Sequence, residues 1–182
     1  MAVIGSAQAV NIVISILRMK VLAILLGPSG IGLLSIYNSL QGMVGTAAGL
    51  GMGSSGVRQI ASAKGEEREH SRVRRVLLIA HLVQGLLAML GVWLLRAHIS
   101  EWLLGDRSYA IEVGLIGLAI FLTLLGTAQT ALLQGMRRIG DLGRITVLSA
   151  LIGTIAGLAA VWLYGESGLV WFVVIQPLAT IV

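Results

Sequence analysis

Two cations, Arg18 and Lys20, sit inside an otherwise apolar stretch running from Ile4 to Leu26. A charge at the centre of a membrane helix costs roughly 2.5–3.5 kcal/mol on insertion scales, so such side chains usually face a protein interior or a water-filled path. A guanidinium stays charged in a dry site and presents planar, paired donors that match phosphate oxygens. The chemistry these residues suggest is capture of something negative at depth. A purely structural arginine would need a buried carboxylate. The acids are Glu66, Glu67, Glu69, Glu101, Asp106, Glu112, Asp141 and Glu166, all in loops or at the ends of apolar stretches. Other chemistry finds little support. There is no cysteine, and His70, His81 and His98 are scattered without carboxylate partners, so neither a metal site nor a catalytic constellation is expected. No cofactor is expected either. Gly51-Met52-Gly53-Ser54-Ser55-Gly56 satisfies the glycine pattern of dinucleotide sites, but that pattern needs a preceding strand and a following helix. Here it ends a glycine-rich apolar stretch.

Neutral polar residues recur at helical spacing in the same stretches. Gln8, Asn11, Ser15 and Arg18 form one polar stripe, while Lys20 lies about 200° around the helix from Arg18. The two cations therefore point to different faces, with Arg18 the one expected to enter a cavity. Ser35, Asn38, Gln41 and Gly45 make a second stripe, and His81 and Gln84 lie together on a third helix. Thr123, Thr127, Thr130 and Gln134 follow, then Ser149, Gly153 and Gly157. Ser, Thr and Gly in such positions often do no more than allow close helix packing, and that is the reading for Gly45, Gly49 and Gly53 and for Gly153 with Gly157. Amides in lipid must find partners, so Asn and Gln are weighed evenly between packing and binding. His81 is read first as a satisfied bundle residue and second as a proton relay.

The elements that would carry these stripes are membrane helices. The 182-residue chain is 57% hydrophobic and 12% charged, with a mean hydropathy of +0.93. That leaves too few charges to cover a soluble domain. Six spans are expected, at about 4–26, 31–57, 76–95, 111–133, 145–163 and 169–182. The last would reach only about 21 Å against a hydrocarbon core of roughly 30 Å, so the chain is expected to be the N-terminal lobe of a longer protein. The apolar start has no basic leader and reads as a retained helix. Arg58, Lys64, Arg68, Arg72, Arg74 and Arg75 fall between the second and third spans, and Arg137, Arg138 and Arg144 between the fourth and fifth; only Arg96 and Arg107 lie on the other side. The positive-inside rule then places the N-terminus in the cytoplasm. Trp93, Trp102, Tyr109, Trp162, Tyr164 and Trp171 fall near the opposite interface, where amphipathic rings settle. The net charge of +5 therefore points to anionic lipid headgroups, not nucleic acid. The basic segment Arg58 to Arg75 reads most simply as a solvated linker.

The block Lys20-Val-Leu-Ala-Ile-Leu-Leu-Gly27-Pro28-Ser29-Gly30-Ile31-Gly32-Leu33 resembles the first hairpin of bacterial polysaccharide flippases of the Wzx type. The resemblance continues through Gly49-Leu-Gly51, Gly56-Val57-Arg58-Gln59-Ile60-Ala61 and Arg72-Val73-Arg74-Arg75-Val76. It also covers Leu103-Leu104-Gly105-Asp106, Leu133-Gln134-Gly135-Met136-Arg137-Arg138 and Ser149-Ala150-Leu151-Ile152-Gly153. It spans nearly the whole chain on soft motifs of glycine and apolar residues. It implies an all-α integral membrane protein, the first lobe of a two-lobe transporter of the multidrug/oligosaccharidyl-lipid/polysaccharide exporter superfamily. The implied function is non-enzymatic: flipping of undecaprenyl-pyrophosphate-linked oligosaccharide units, such as those of O-antigen, across the inner membrane by alternating access. Cationic residues in and near the first span of such relatives line a central cavity. Arg18 matches such a position and Arg58 is a weaker match. With Lys20 and the amides Asn11, Asn38 and Gln41 they make the expected pyrophosphate and cavity set. Expected partners are the lipid-linked oligosaccharide, membrane lipids and polysaccharide polymerase or assembly proteins. The alternatives are a multidrug or cation antiporter of the same superfamily, disfavoured by the lack of a carboxylate at depth, and a non-transporting remnant or scaffold.

Overall fold

The computed structural model describes the backbone of residues 2–49, 67–136 and 139–181, and side chains within those segments from residue 8, residue 74 and residue 140 onward. All regular structure among them is helical. α1 (Ala2–Gly49) is broken at Gly27, α2 runs Glu67–Leu104, α3 Ala110–Gly135, α4 Ile139–Tyr164 and α5 Gly168–Ile181. Short 3-10 turns, Arg107–Tyr109 and Gly165–Ser167, separate α2 from α3 and α4 from α5. Arg58, and with it the glycine pattern at residues 51–56, lies outside the described residues.

Local chemistry sets each break. Gly27 has φ 67 and ψ −166, a left-handed backbone open to glycine at little cost, and Pro28 follows without an N–H to donate. α1 therefore has two arms, one on each side of Gly27. Gly105, at φ 71, donates its N–H to Glu101 O at 3.0 Å, the left-handed cap that closes a helix C-terminus. Asp106 then caps the following turn. Its carboxylate accepts the Ser108 N–H at 2.9 Å and the Ser108 hydroxyl at 2.6 Å. Arg107 crosses this turn to Glu101, with Nε and Nη2 at 2.9 and 2.6 Å from one carboxylate oxygen.

α2 begins well before the apolar run that starts near Val76. The segment Glu67–Arg75 is the end of the expected solvated linker, yet it is helical. Hydropathy marks where lipid begins, whereas Glu and Arg are good helix formers that extend the helix past that boundary. α3, α4 and α5 begin and end within a few residues of the apolar stretches, except that α4 starts at Ile139, six residues ahead of Ile145.

The chain folds back at each break. Ser29, just after the Gly27 break, donates to Glu166 in the second 3-10 turn at 3.5 Å, and twelve residues on Gln41 donates to Thr123 at 2.8 Å. The second arm of α1 thus runs alongside α3. α2 packs on α3 and α4 on α5, while α3 also meets α5 and α1 lies against α4. The core joins Leu22, Leu34, Tyr37, Ile116, Ile120, Leu169 and Phe172. Close approach depends on missing side chains. A Cβ on Gly117 would lie 3.1 Å from Met89 O, and one on Gly157 would lie 2.5 Å from Phe172 Cδ2. Gly153 likewise sits against the Gln176 backbone at 3.4 Å, so Gly153 and Gly157 are packing positions.

The outside of the bundle is apolar. Ile24, Leu94, Ile155 and Leu163 are more than 60% exposed, which suits lipid and not water. Among the described residues four stretches are long and apolar enough to cross a membrane: Gln8–Gly49, Arg74–Leu104, Arg107–Gly135 and Gly140–Ile181. The first and last contain 42 residues each, about 63 Å of helix if straight, and each holds an internal break.

Candidate functional site

The second arm of α1 turns a polar and small face toward α3. Asn38, Gln41, Gly42, Gly45, Thr46 and Gly49 fall on that face by helical phase and line one cleft. α3 answers with Thr123 and Thr127, and α2 contributes His81. This part of the cleft measures about 560 Å³. A second part of about 330 Å³ shares Asn38, Gln41, Thr123 and Thr127 and continues past Thr130 to Gln176, Pro177 and Thr180 of α5. The site is one groove in which amides, hydroxyls and an imidazole are set among apolar groups, with no charged carboxylate, Lys or Arg among its described lining residues.

Its hydrogen atoms are largely spoken for. Thr123 Oγ1 donates to Ala119 O at 2.8 Å and accepts from Gln41 Nε2 at 2.8 Å. Thr127 donates to Thr123 O at 2.9 Å, Thr130 to Thr127 O at 3.0 Å, and Thr180 to Gln176 O at 3.3 Å. Each hydroxyl spends its one proton on its own helix and keeps lone pairs. His81 is completely buried, and its Nδ1 lies 2.9 Å from Leu77 O. A carbonyl only accepts, so Nδ1 carries the proton. In the uncharged form of the ring Nε2 is then an acceptor, and it has no hydrogen-bond partner. The groove therefore offers mostly acceptors, with the Asn38, Gln41 and Gln176 amides supplying donors.

Gly45 behaves unlike the packing glycines. A Cβ there, or on Gly42, would meet nothing within 4 Å. The packing expectation for Gly45 fails because the groove lies open over it; Gly49 keeps only a 3.5 Å neighbour, Leu124 Cδ2.

The expected cavity residues do not form one cluster. Asn38 and Gln41 line the groove. Asn11 lies with Gln8, Ser15, Ile12, Ile16 and Met19 in a separate shallow depression on the first arm. Arg18 lines neither. It is half-buried, with its guanidinium 5.4 Å from the centre of the Phe172 ring on α5, and its Nε is buried without a hydrogen-bond partner. A cation over an aromatic face is attracted by the ring quadrupole, which softens the cost of burial without using the guanidinium donors. Lys20, two residues on, is exposed. Among the described residues no cluster of three or more His, Asp or Glu could hold a metal ion.

Two contributions had no weight in the sequence reading. Gln176 and Thr180 sit at i and i+4 in the short apolar α5, a spacing that could have marked them. His81 was visible as a polar residue, but its free nitrogen depends on which carbonyl its other nitrogen finds.

The chain is similar to the lipid III flippases of Escherichia coli (strain K12) and Shigella flexneri. It is 27% identical to each over 164 residues, covering 90% of this chain and 39% of the relative. The chain thus spans well under half the length of these curated relatives. No solved structure matches it. The model of the polysaccharide biosynthesis protein family matches residues 1–182, the entire sequence. A helical membrane bundle holding a polar groove and a half-buried arginine is therefore the work of a chain that belongs to the polysaccharide biosynthesis protein family.

Proposed function

We propose that this chain is the first lobe of a transporter that flips undecaprenyl-pyrophosphate-linked oligosaccharides across the bacterial inner membrane. The observation that carries the reading is the family match over the whole chain, sharpened by the similarity to two lipid III flippases. Physical features support it. The breaks at Gly27 and at Gly165–Ser167 divide each 42-residue stretch, which supports a reading of six crossings, and the bias of Lys and Arg between the apolar stretches supports a cytoplasmic N-terminus. The glycan and its pyrophosphate enter from that side while the polyprenyl tail stays in lipid. Rocking against a second lobe then opens the cavity outward.

Arg18 is the residue assigned to the pyrophosphate. Its Nε is without a partner and no carboxylate neutralises it among the described residues, so a diphosphate would supply the acceptors it lacks. Arg58 is a secondary candidate. The test is export of glycan in cells carrying the full-length protein. Arg18→Ala abolishes export while membrane insertion persists; Lys20→Ala, on an exposed side chain, is milder. Full complementation by Arg18→Ala would sink its role, and equal loss in both variants at normal protein levels would count against separate faces.

A further inference from the structure

We propose that the neutral groove between the second arm of α1, α2, α3 and α5 binds the sugar of the lipid-linked oligosaccharide through its hydroxyl groups, with His81 Nε2 as the innermost acceptor. This assignment rests on the flippase reading and adds to it a site distinct from Arg18. Complementarity carries it. The three threonine hydroxyls of α3 and that of Thr180 have committed their protons to backbone carbonyls and line the groove as acceptors, Thr123 already taking one bond from Gln41. His81 is fully buried and among the residues lining the groove, and its Nε2 has no hydrogen-bond partner. A buried acceptor left unpaired carries an uncompensated desolvation penalty, which a hydroxyl donor from a ligand removes.

The same account excludes other occupants. An anion needs donors and positive charge, and among the described residues no Lys or Arg lines either part of the groove. A bound metal ion needs ligands converging within a few ångström, usually with carboxylates, and among the described residues the groove holds none. A hydrophobic compound would strand Asn38, Gln41, Gln176 and His81 against apolar surface. A polyol both donates and accepts, and parts of about 330 and 560 Å³ hold sugar rings with room to spare. Among the described residues His81 is the only titratable side chain in the lining; the faces from α1, α3 and α5 bring amides, hydroxyls, glycines and apolar groups.

The division of labour is testable with the purified full-length protein and two probes, undecaprenyl pyrophosphate with and without its oligosaccharide. His81→Phe removes the acceptor at similar bulk, and Gly45→Val fills the groove from a position whose Cβ meets nothing within 4 Å. Both variants are expected to weaken binding of the glycosylated lipid by about tenfold, the equivalent of roughly 1.4 kcal/mol. Both leave binding of the bare pyrophosphate lipid unchanged. Arg18→Ala weakens both lipids. If the two groove variants keep wild-type preference for the glycosylated lipid, or weaken both lipids alike, the sugar assignment is overturned while the flippase reading stands. Should His81→Phe fail to fold, Gly45→Val alone decides between these results. If the wild-type protein binds neither lipid, the flippase reading itself falls and takes the groove assignment with it.

Discussion

The bond between Gln41 and Thr123 joins two helices whose sequence positions are 82 residues apart, and it can be weighed directly. Gln41 Nε2 donates to Thr123 Oγ1 at 2.8 Å, close to the ideal for such a pair, and Thr123 passes its own proton to Ala119 O at 2.8 Å. Interhelical side-chain bonds in membrane proteins average about 0.6 kcal/mol and reach about 1.7 kcal/mol. Good geometry and partial burial place this one toward the middle of that range, near 1 kcal/mol. The perturbation is a double-mutant cycle of Thr123→Val and Gln41→Leu. Each single change removes the bond, and the double change should cost about 1 kcal/mol less than the sum of the singles. Reversible unfolding of the full-length protein in mixed micelles, followed by tryptophan fluorescence, supplies the four free energies. Additivity within about 0.3 kcal/mol would show that the two helices are not tied here, and the threonine-lined wall of the groove would have to be redrawn.

Two other perturbations probe the frame. Gly168→Ala drives a Cβ onto Ala160 O and to 2.7 Å from Val161 Cα, both backbone, and should destabilise by about 1–3 kcal/mol, whereas Gly45→Ala meets no neighbour and should be neutral or slightly stabilising. Thermal unfolding of both in one detergent checks the order, and a more stable Gly168→Ala would contradict the packing described. Asp106 titrates below the usual carboxylate range because the Ser108 hydroxyl, then the Ser108 N–H, hold its charged form. A carboxylate lowered by folding stabilises the turn above its unfolded value of about 3.9, and that contribution fades as pH falls through the lowered folded value. Ser108→Ala should move the Asp106 titration upward, measured by carboxyl-detected NMR; an unchanged midpoint would remove the hydroxyl from the explanation.

The breaks between helices were legible because they are local chemistry. Gly27-Pro28 ends one arm and starts the next, and Gly105 and Gly165 adopt left-handed backbones where the apolar runs stop. Composition alone fixed the membrane class, since 12% charge cannot coat a water-facing surface. Helical phase also put Asn38, Gln41 and Gly45 on one face, and they share the groove. What phase could not supply is the partner. Arg18 continues the polar stripe of Gln8, Asn11 and Ser15, yet its guanidinium stands over Phe172, a ring brought in from the far end of the chain. Nothing within a helical turn of either residue announces that contact. Gly45 and Gly157 look alike in a glycine-spacing pattern, but one faces open groove and the other holds a phenylalanine. The groove's preference for donors is a still longer-range property, because it depends on where each threonine proton and the His81 Nδ1 proton go.

The most direct test of the central claim is transfer itself. The full-length protein is reconstituted into sealed vesicles carrying an undecaprenyl-pyrophosphate-linked oligosaccharide in one leaflet, and a glycan-cleaving enzyme outside reports how much becomes accessible. The flippase account predicts protein-dependent appearance of the glycan on the opposite face, faster than in empty vesicles and lost in Arg18→Ala. Accessibility indistinguishable from empty vesicles, with the protein folded and correctly inserted, would contradict it.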